Sequence, residues 1–368
     1  MKPLAIVHTE SSLGWGGQEI RILAESQGLA RRGHRLTVLC APQSRILAEA
    51  PRWEVPAFAL PIGSKRPAGL RALIDWLRGN ACDVLSSHSS TDSWLAAFAT
   101  RFGRRVPIVR TRHISAPVPR NPFSRWLYER GAERIVTTGE ALRRELVERN
   151  GFTAQRIESV PTGIDAGRFR PGDRVGQRSA LGLPAEATLL GIVATLRSWK
   201  GHEYLLKAMP SLPKNLHLVI VGDGPMRDVL QGMIEQLDLR VRVRVRMAGD
   251  QRDVLPWLQA FDLFALPSYA NEGVPQALVQ AMLCGLPCVT TPVGSIGELA
   301  RDEVTALIVP PRDAEALAAA ISRLAADPAL GSELGLAARR HCVENYSYER
   351  MLDRMEAIYH DVAMAAHS

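Results

Sequence analysis

Short apolar runs of strand length alternate with amphipathic stretches of helical length along almost the whole chain, which restricts it to folds whose strands are joined by crossovers. Residues 4–9 read as a buried strand, Gly14, Gly16 and Gly17 as a loop, 18–32 as a helix and 35–40 as the next strand. The spacing predicts helices near 69–78, 93–101 and 124–130, with strands at 84–85, 107–109 and 134–137. Periodicity lapses over 163–184, where prolines, glycines and polar residues crowd together. A second series follows, with strands at 189–195, 216–221, 241–247, 264–266, 287–290 and 306–309 and helices between them. Helices from residue 314, interrupted at Asp327-Pro328, close the chain. The expectation is an α/β protein of two consecutive domains, each a parallel sheet covered on both faces. With 368 residues, 46% of them hydrophobic, each domain can bury a core without disulfides or structural metal.

Charge divides along the same line. Residues 1–175 carry 27 Lys and Arg against 16 Asp and Glu, and the remainder carries 18 against 22. A basic first half suits an acidic partner: nucleic acid, an anionic bilayer or a phosphorylated substrate. The start of the chain turns polar too early for a signal peptide, and no apolar run reaches the roughly 18 residues of a spanning helix, so a cytoplasmic protein is expected. The five cysteines (Cys40, Cys82, Cys284, Cys288, Cys342) are scattered, with no CxxC pair and no His at ligand spacing. They read as reduced core residues and argue against zinc.

Local chemistry concentrates in loops that follow strands of the second series. Arg197-Ser198-Trp199-Lys200-Gly201 sets two cations and a glycine where a strand gives way to a helix, a natural seat for phosphate. Two solvated charges in a turn would give the same pattern. Gly222-Asp223-Gly224-Pro225 ends the next strand, and its glycines suit either a closely approaching ligand or a tight turn. In the stretch 267–282, Pro275 suits a first helical position and Glu272 stands just outside it. That carboxylate could accept hydrogen bonds from sugar hydroxyls or could serve only as a partner for the helix dipole.

These loops, in this order, resemble the donor half of the GT-B glycosyltransferases, in particular the retaining group-4 family that acts on polysaccharide and lipopolysaccharide precursors. The resemblance runs through Arg197-x-x-Lys200-Gly201, Val221-Gly222-Asp223-Gly224-Pro225, Gly249, Pro267-Ser268, Glu272-Gly273-Val274-Pro275-Gln276-Ala277 and Cys284-Gly285-Leu286-Pro287. In the first half, Gly16-Gly17, 107–113 ending in His113, and Val160-Pro161-Thr162-Gly163-Ile164-Asp165 resemble the family's other motifs, so nearly the whole chain is covered. The resemblance implies two Rossmann-like domains whose parallel sheets face a central cleft: an acceptor domain over 1–168, a linker over 169–185 and a donor domain over 186–347. A final helix, about 348–368, is expected to return to the first domain.

The resemblance also implies roles. Arg197 and Lys200 would grip the donor diphosphate and stabilise the leaving charge, electrostatic catalysis without a metal or other cofactor, and the chain has no Asp-x-Asp. Glu272 would bind hydroxyls of the transferred sugar, with Gly222, Gly224, Gly249, Gly273, Val274, Pro275, Gln276 and Ala277 completing the donor site. Gly16 and Gly17 would let backbone approach the diphosphate, and His113 would hold the donor sugar. His88, Arg110 and Arg112 are candidate acceptor contacts. Two positions depart from the family pattern: Gln280 stands where a second Glu usually binds the ribose, and Thr162 where Asn is common. An amide still bonds a diol, without charge assistance, so Gln280 stays in the donor set.

The implied reaction moves a sugar from a nucleotide-diphosphate donor, UDP-linked before GDP-mannose, to a saccharide or lipid-linked acceptor with retention of configuration. The excess arginine of the first half suits an anionic membrane surface or a phosphorylated acceptor, and equally an ordinary solvated surface. A nucleotide-sugar epimerase on the same fold is the main rival. A dinucleotide oxidoreductase lacks its GxGxxG loop, and a nucleic-acid binder lacks aromatics interleaved with the basic residues, so no nucleic-acid partner is expected.

Overall fold

The computed structural model describes residues 2–366, which divide into two compact units: residues up to Thr162 together with the stretch from Glu349, and Gly163–Tyr348. The first unit holds a sheet of seven parallel strands: β1 (Ala5–Glu10), β2 (Arg35–Cys40), β3 (Ala57–Ala59), β4 (Val84–Ser87), β5 (Ile108–Arg112), β6 (Arg134–Thr137) and β7 (Ile157–Ser159). Their order across the sheet is β3-β2-β1-β4-β5-β6-β7. Every residue of β1 is buried, as expected of a central parallel strand with helices on both faces. Adjacent residues of β2 serve opposite layers, Val38 and Cys40 packing with Ile22 and Leu23 while Leu39 packs with Val7 and Leu85.

The second unit holds six parallel strands: β8 (Thr188–Val193), β9 (Leu216–Val221), β10 (Val245–Gly249), β11 (Leu263–Leu266), β12 (Cys288–Thr290) and β13 (Leu307–Ile308). Their order is β10-β9-β8-β11-β12-β13, around one continuous apolar core. Polar side chains set the helix starts. Ser89 and Asp92 form a reciprocal capping box on the helix Ser90–Phe102, and Asp313 and Asp327 cap Ala314–Ala326 and Pro328–Asn345.

The helix Tyr348–Ala365 is tied to the first unit by buried and surface polar contacts. The Tyr359 hydroxyl lies 2.7 Å from Glu25 Oε1 and 3.1 Å from the Ser86 hydroxyl, and Arg32 pairs with Asp353 and Glu356, each at 2.8 Å. His34, Glu356 and His360 come close enough together to suggest a metal site. The hydrogen bonding opposes it: His34 Nδ1 accepts from the Leu4 amide, so its proton sits on Nε2 and points at Glu356, whose second oxygen takes Arg32.

Two expectations need correction. The stretch read as a linker contains the helix Arg174–Leu181, capped by Asp173 and ended by Gly182 in the left-handed region. It is held down by Arg178, which donates to the Ala260 carbonyl at 2.9 Å and pairs with Asp262 at 2.5 Å. The strand expected over 241–247 begins only at Val245, after the helical turn Leu239–Arg242 that Asp238 caps. The Val-Arg alternation there imitates a half-buried strand, yet Val243 is exposed and Arg244 is buried, donating to the carbonyls of Met209, Pro213 and Leu216.

Gly191, in the middle of β8, lies against the fully buried ring of Phe261, and a Cβ there would come within 2.0 Å of two ring atoms. Gly191→Ala therefore overpacks the second core and should cost about 1–3 kcal/mol, read as a lower midpoint in thermal or urea denaturation.

Candidate active site

In an open parallel sheet, ligands bind beyond the carboxyl ends of the strands where the strand order reverses. The second sheet reverses between β8 and β11, and the loops that follow these two strands carry the candidate donor residues. Lys200, in the single helical turn Ser198–Lys200 after β8, places Nζ 2.6 Å from Oε1 of Glu272, in the loop after β11. The Ser268 hydroxyl donates to the same oxygen at 2.7 Å. Glu272 is therefore buried and held on one oxygen, while Oε2 has no partner among the described residues. Arg197 is exposed, its guanidinium 5.5 Å from the centroid of the Trp199 ring, and no carboxylate pairs with it among the described residues.

Backbone packed against backbone makes these loops converge. A Cβ on Gly201 (φ 78°) would come 2.0 Å from the Pro267 carbonyl oxygen, and one on Gly222 (φ 137°) equally close to that of Ala194. Gly224 lies against the backbone of Leu196, and the Gly222 amide donates to the Gly249 carbonyl at 2.8 Å, which brings in the loop after β10. Gly294 abuts the Glu272 carbonyl in the same way, a contact no sequence motif had marked. Gly273, Val274 and Pro275 are buried, and Pro275 is the last extended residue before the helix Gln276–Leu283 rather than its first helical one. Gln276 and Ala277 open that helix, and Gln280 lies half-buried one turn on, its side chain without a partner among the described residues. His202, which opens the helix His202–Ala208 directly after the Lys200 turn, is buried with both ring nitrogens unpartnered; burial, then the charge of Lys200, pushes its pKa down to about 3.

The first sheet reverses between β1 and β4. Gly16 and Gly17 start the helix Gly17–Arg31 beyond β1, His88 follows β4 and His113 follows β5. The imidazoles join in a line, His8 Nδ1 to His88 Nε2 at 2.9 Å and His88 Nδ1 to His113 Nε2 at 2.9 Å. Burial holds all three below the usual histidine range, His88 and His113 well below it. Beside them lies a buried carboxyl pair, Glu10 at the end of β1 and Asp92 in the first turn of the helix Ser90–Phe102 that follows β4. Burial and the charge of Asp92 push Glu10 up to about 8, and burial pushes Asp92 up to about 6. Four donors hold Asp92: the hydroxyls of Thr9 and Ser11 and the amides of His88 and Ser89.

A pocket of about 320 Å³ opens here, its walls including Gln18, Trp94, Arg110, His113 and Tyr128. Arg110 is 5% exposed, lies over the Tyr128 ring at 4.2 Å, and has a buried Nη1 with no hydrogen-bond partner. The other two candidate acceptor contacts are otherwise engaged. Both ring nitrogens of His88 are taken by its histidine neighbours, leaving none to offer an acceptor, and Arg112 donates to the Tyr128 hydroxyl and the Ala116 carbonyl. A larger depression of about 460 Å³ along β7 is lined by none of the candidates, and its Arg143 and Arg354 are paired with Glu140 and Glu158.

His8 was missed because a histidine inside an apolar run reads as core, and Ser268, quoted within the Pro267-Ser268 motif, was given no role because one hydroxyl in a loop carries no signal by itself.

The family model described as Glycosyl transferases group 1 matches residues 173–345, and that described as Glycosyltransferase Family 4 matches residues 15–168. A D-inositol 3-phosphate glycosyltransferase of Saccharomonospora viridis is 32% identical over 313 residues, 77% of this chain and 71% of that protein. Its Mycobacterium tuberculosis counterpart is 30% identical over 75% of this chain, which spans 61% of that relative's length. Among solved structures, Anabaena Alr3699/HepE in complex with UDP-glucose superposes with a TM-score of 0.87 at 20% identity, covering 97% of this chain and 100% of that one. WaaG, a glycosyltransferase involved in lipopolysaccharide biosynthesis, superposes at 0.74 and 18% identity, covering 96% and 99%. Two parallel α/β units, two adjoining family matches and these relatives agree: the chain belongs to the group 1, family 4 glycosyltransferases, with the GT-B fold.

Proposed function

We propose that this glycosyltransferase uses a UDP-sugar and delivers the sugar, with retained configuration and without a metal, to a saccharide or lipid-linked acceptor of lipopolysaccharide or polysaccharide synthesis. The observation that carries the donor assignment is the Lys200–Glu272 pair at the point where the strand order reverses, with the unpaired Arg197 beside Lys200 in the chain. Arg197 and Lys200 meet the diphosphate, and Oε2 of Glu272 accepts from a hydroxyl of the sugar. As the bond from the anomeric carbon to the phosphate oxygen breaks, the acceptor oxygen bonds on the same face and its proton passes to the departing oxygen. The cations stabilise the charge that collects on the diphosphate. Preference for UDP is supported by the UDP-glucose bound in the Anabaena structure, and the polysaccharide role by the WaaG likeness.

In the first unit, Arg110 supports an anionic group on the acceptor, because this buried guanidinium has an unpartnered Nη1 and, among the described residues, no carboxylate in direct contact, Asp92 acting on it only from a distance. Phosphate on the acceptor is also what the names of the Saccharomonospora and Mycobacterium relatives specify. Attachment to an anionic membrane is supported by the aromatic stack Trp126–Trp94–Phe98–Phe102. Phe102 is 66% and Phe123 74% exposed, and Arg101, Arg104, Arg105 and Arg125 are exposed nearby in sequence. Among the described residues no helix is long and apolar enough to cross a membrane.

Three measurements test this reading. Arg197→Ala removes an exposed, unpaired side chain, so the protein should keep its melting temperature while kcat falls about 10²–10³-fold; unchanged turnover would remove the phosphate grip. In a thermal-shift panel of UDP-, GDP- and ADP-sugars, the UDP-sugars should raise the midpoint most. At a hundredfold excess over Kd, binding adds about 2.7 kcal/mol, and a larger shift with GDP-mannose would reverse the donor choice. The chain should co-sediment with phosphatidylglycerol vesicles at low salt and dissociate as salt rises, with the Phe102→Ala/Phe123→Ala variant bound less. Absence of binding at low salt would end the membrane assignment.

A further inference from the structure

His113 stands at the solvent end of a chain of three imidazoles that runs back into the sheet. Its Nε2 meets His88 Nδ1, and His88 Nε2 meets His8 Nδ1. His8 lies in β1 with no exposed surface, and its Nε2 is buried without a partner. His113 is only half-buried, and its Nδ1 has no partner among the described residues.

Three neutral rings linked this way have two consistent proton arrangements. In one, His8 donates from Nδ1 to His88 and His88 from Nδ1 to His113, which leaves a bare lone pair on the buried Nε2 of His8 and an N–H on Nδ1 of His113. In the other every bond reverses, burying an unpaired N–H at His8 and leaving His113 a bare Nδ1. The two differ in which unsatisfied group lies inside, and a buried unpaired N–H is the rarer one in proteins. Charge at His8 itself is divided, Glu25 acting on it more strongly than Arg21 and in the opposite sense, whereas Arg21 acts on all three rings. Arg21, buried beside Glu25, acts on His8 and can only donate, and its Nη2 is also without a partner. The Glu25 carboxylate is occupied by Tyr359 and Arg21. Ser86, 3.4 Å from His88 Nε2, gives its proton to the Tyr359 oxygen because Tyr359 donates to Glu25, so it offers His88 only an acceptor; at that distance the contact is weaker than the 2.9 Å bonds along the line.

We propose that His8 and His88 act as positioning residues that fix the tautomer of His113, so that His113 presents Nδ1–H as a hydrogen-bond donor to an oxygen of the bound substrate. Burial keeps the three rings neutral, so the proton count along the line is fixed. The substrate role of His113 rests on the glycosyltransferase reading above, whereas the tautomer does not depend on any ligand.

The test is long-range 15N–1H correlation spectroscopy on the full-length protein labelled at histidine nitrogen, without substrate, with His113 assigned by the signal lost in His113→Asn. The expected pattern is a protonated Nδ1 and a bare Nε2 on His113 at neutral pH; the opposite tautomer overturns the proposal whatever the activity. His8→Leu removes the inner donor, so His113 should become a mixture of tautomers with kcat down about tenfold and donor KM changed less. His8→Gln keeps an N–H to donate and should retain both the Nδ1–H tautomer and most of the rate. A His8→Leu protein with wild-type tautomer and wild-type rate would also overturn it. Should that variant fail to fold, the wild-type and His8→Gln spectra decide alone. If the tautomer is as expected but no nucleotide-sugar binds, the functional reading fails and the tautomer assignment stands.

Discussion

Everything in this molecule follows from building each sheet from parallel strands. A parallel pair cannot be closed by a hairpin, so each link crosses over a face of the sheet, and the sheet grows outward from its first strand in two directions. Where the direction changes, between β1 and β4 in one unit and between β8 and β11 in the other, two loops far apart in sequence begin side by side. Lys200 and Glu272 are separated by 72 residues and His8 and His88 by 80, yet each pair is in hydrogen-bonding contact. Neither contact needs a long excursion of the chain.

Reversal of strand order supplies a place, and glycine makes it narrow. At Gly201, Gly222 and Gly294 a carbonyl oxygen from a neighbouring loop occupies the position of the missing Cβ, so the backbones themselves are in contact. An alanine at Gly201 or Gly222 would meet both a positive φ and an oxygen about 2.0 Å away, with only backbone able to give way. The charged side chains stand on this frame. Ser268 and Lys200 converge on one oxygen of Glu272 because their own loops cannot move apart without breaking those approaches.

Legibility in the sequence follows the same physics. Central strands such as β2, β6 and β9 begin and end where the apolar runs do, since burial on both faces leaves an unbroken hydrophobic signature. Strands β3 and β7 escaped notice, being edge strands of three residues in which period and composition have no length over which to register. The helix Arg174–Leu181 was hidden by the prolines and glycines around it, and its anchor, Arg178 on Asp262, is a contact between residues 84 apart. Within the site, the fold brings the motif residues of the second unit together after β8 and β11, but their pairing was not legible. Nothing in the sequence says that His88 faces histidines on both sides, and so cannot face an acceptor, or that Lys200 already has a carboxylate.

That pairing bears on how the donor half handles charge. Two unit charges at 4 Å attract by about 4 kcal/mol at an effective dielectric of 20, so a lysine beside a buried carboxylate is largely neutralised before any ligand arrives. Of the two cations expected to meet the diphosphate, only Arg197 therefore presents an uncompensated charge among the described residues, while Lys200 is paired with the buried Glu272. The arrangement suits a group whose negative charge grows during the reaction. A lysine shared between Glu272 and a phosphate oxygen shifts toward whichever holds more charge, and as the leaving diphosphate gains charge the lysine interacts with it more strongly. Stabilisation that grows with the leaving charge lowers the barrier, whereas an equally tight grip on the ground state would not. On the proposed reading, Ser268 would go on donating to Glu272 Oε1 while the lysine is shared with the diphosphate.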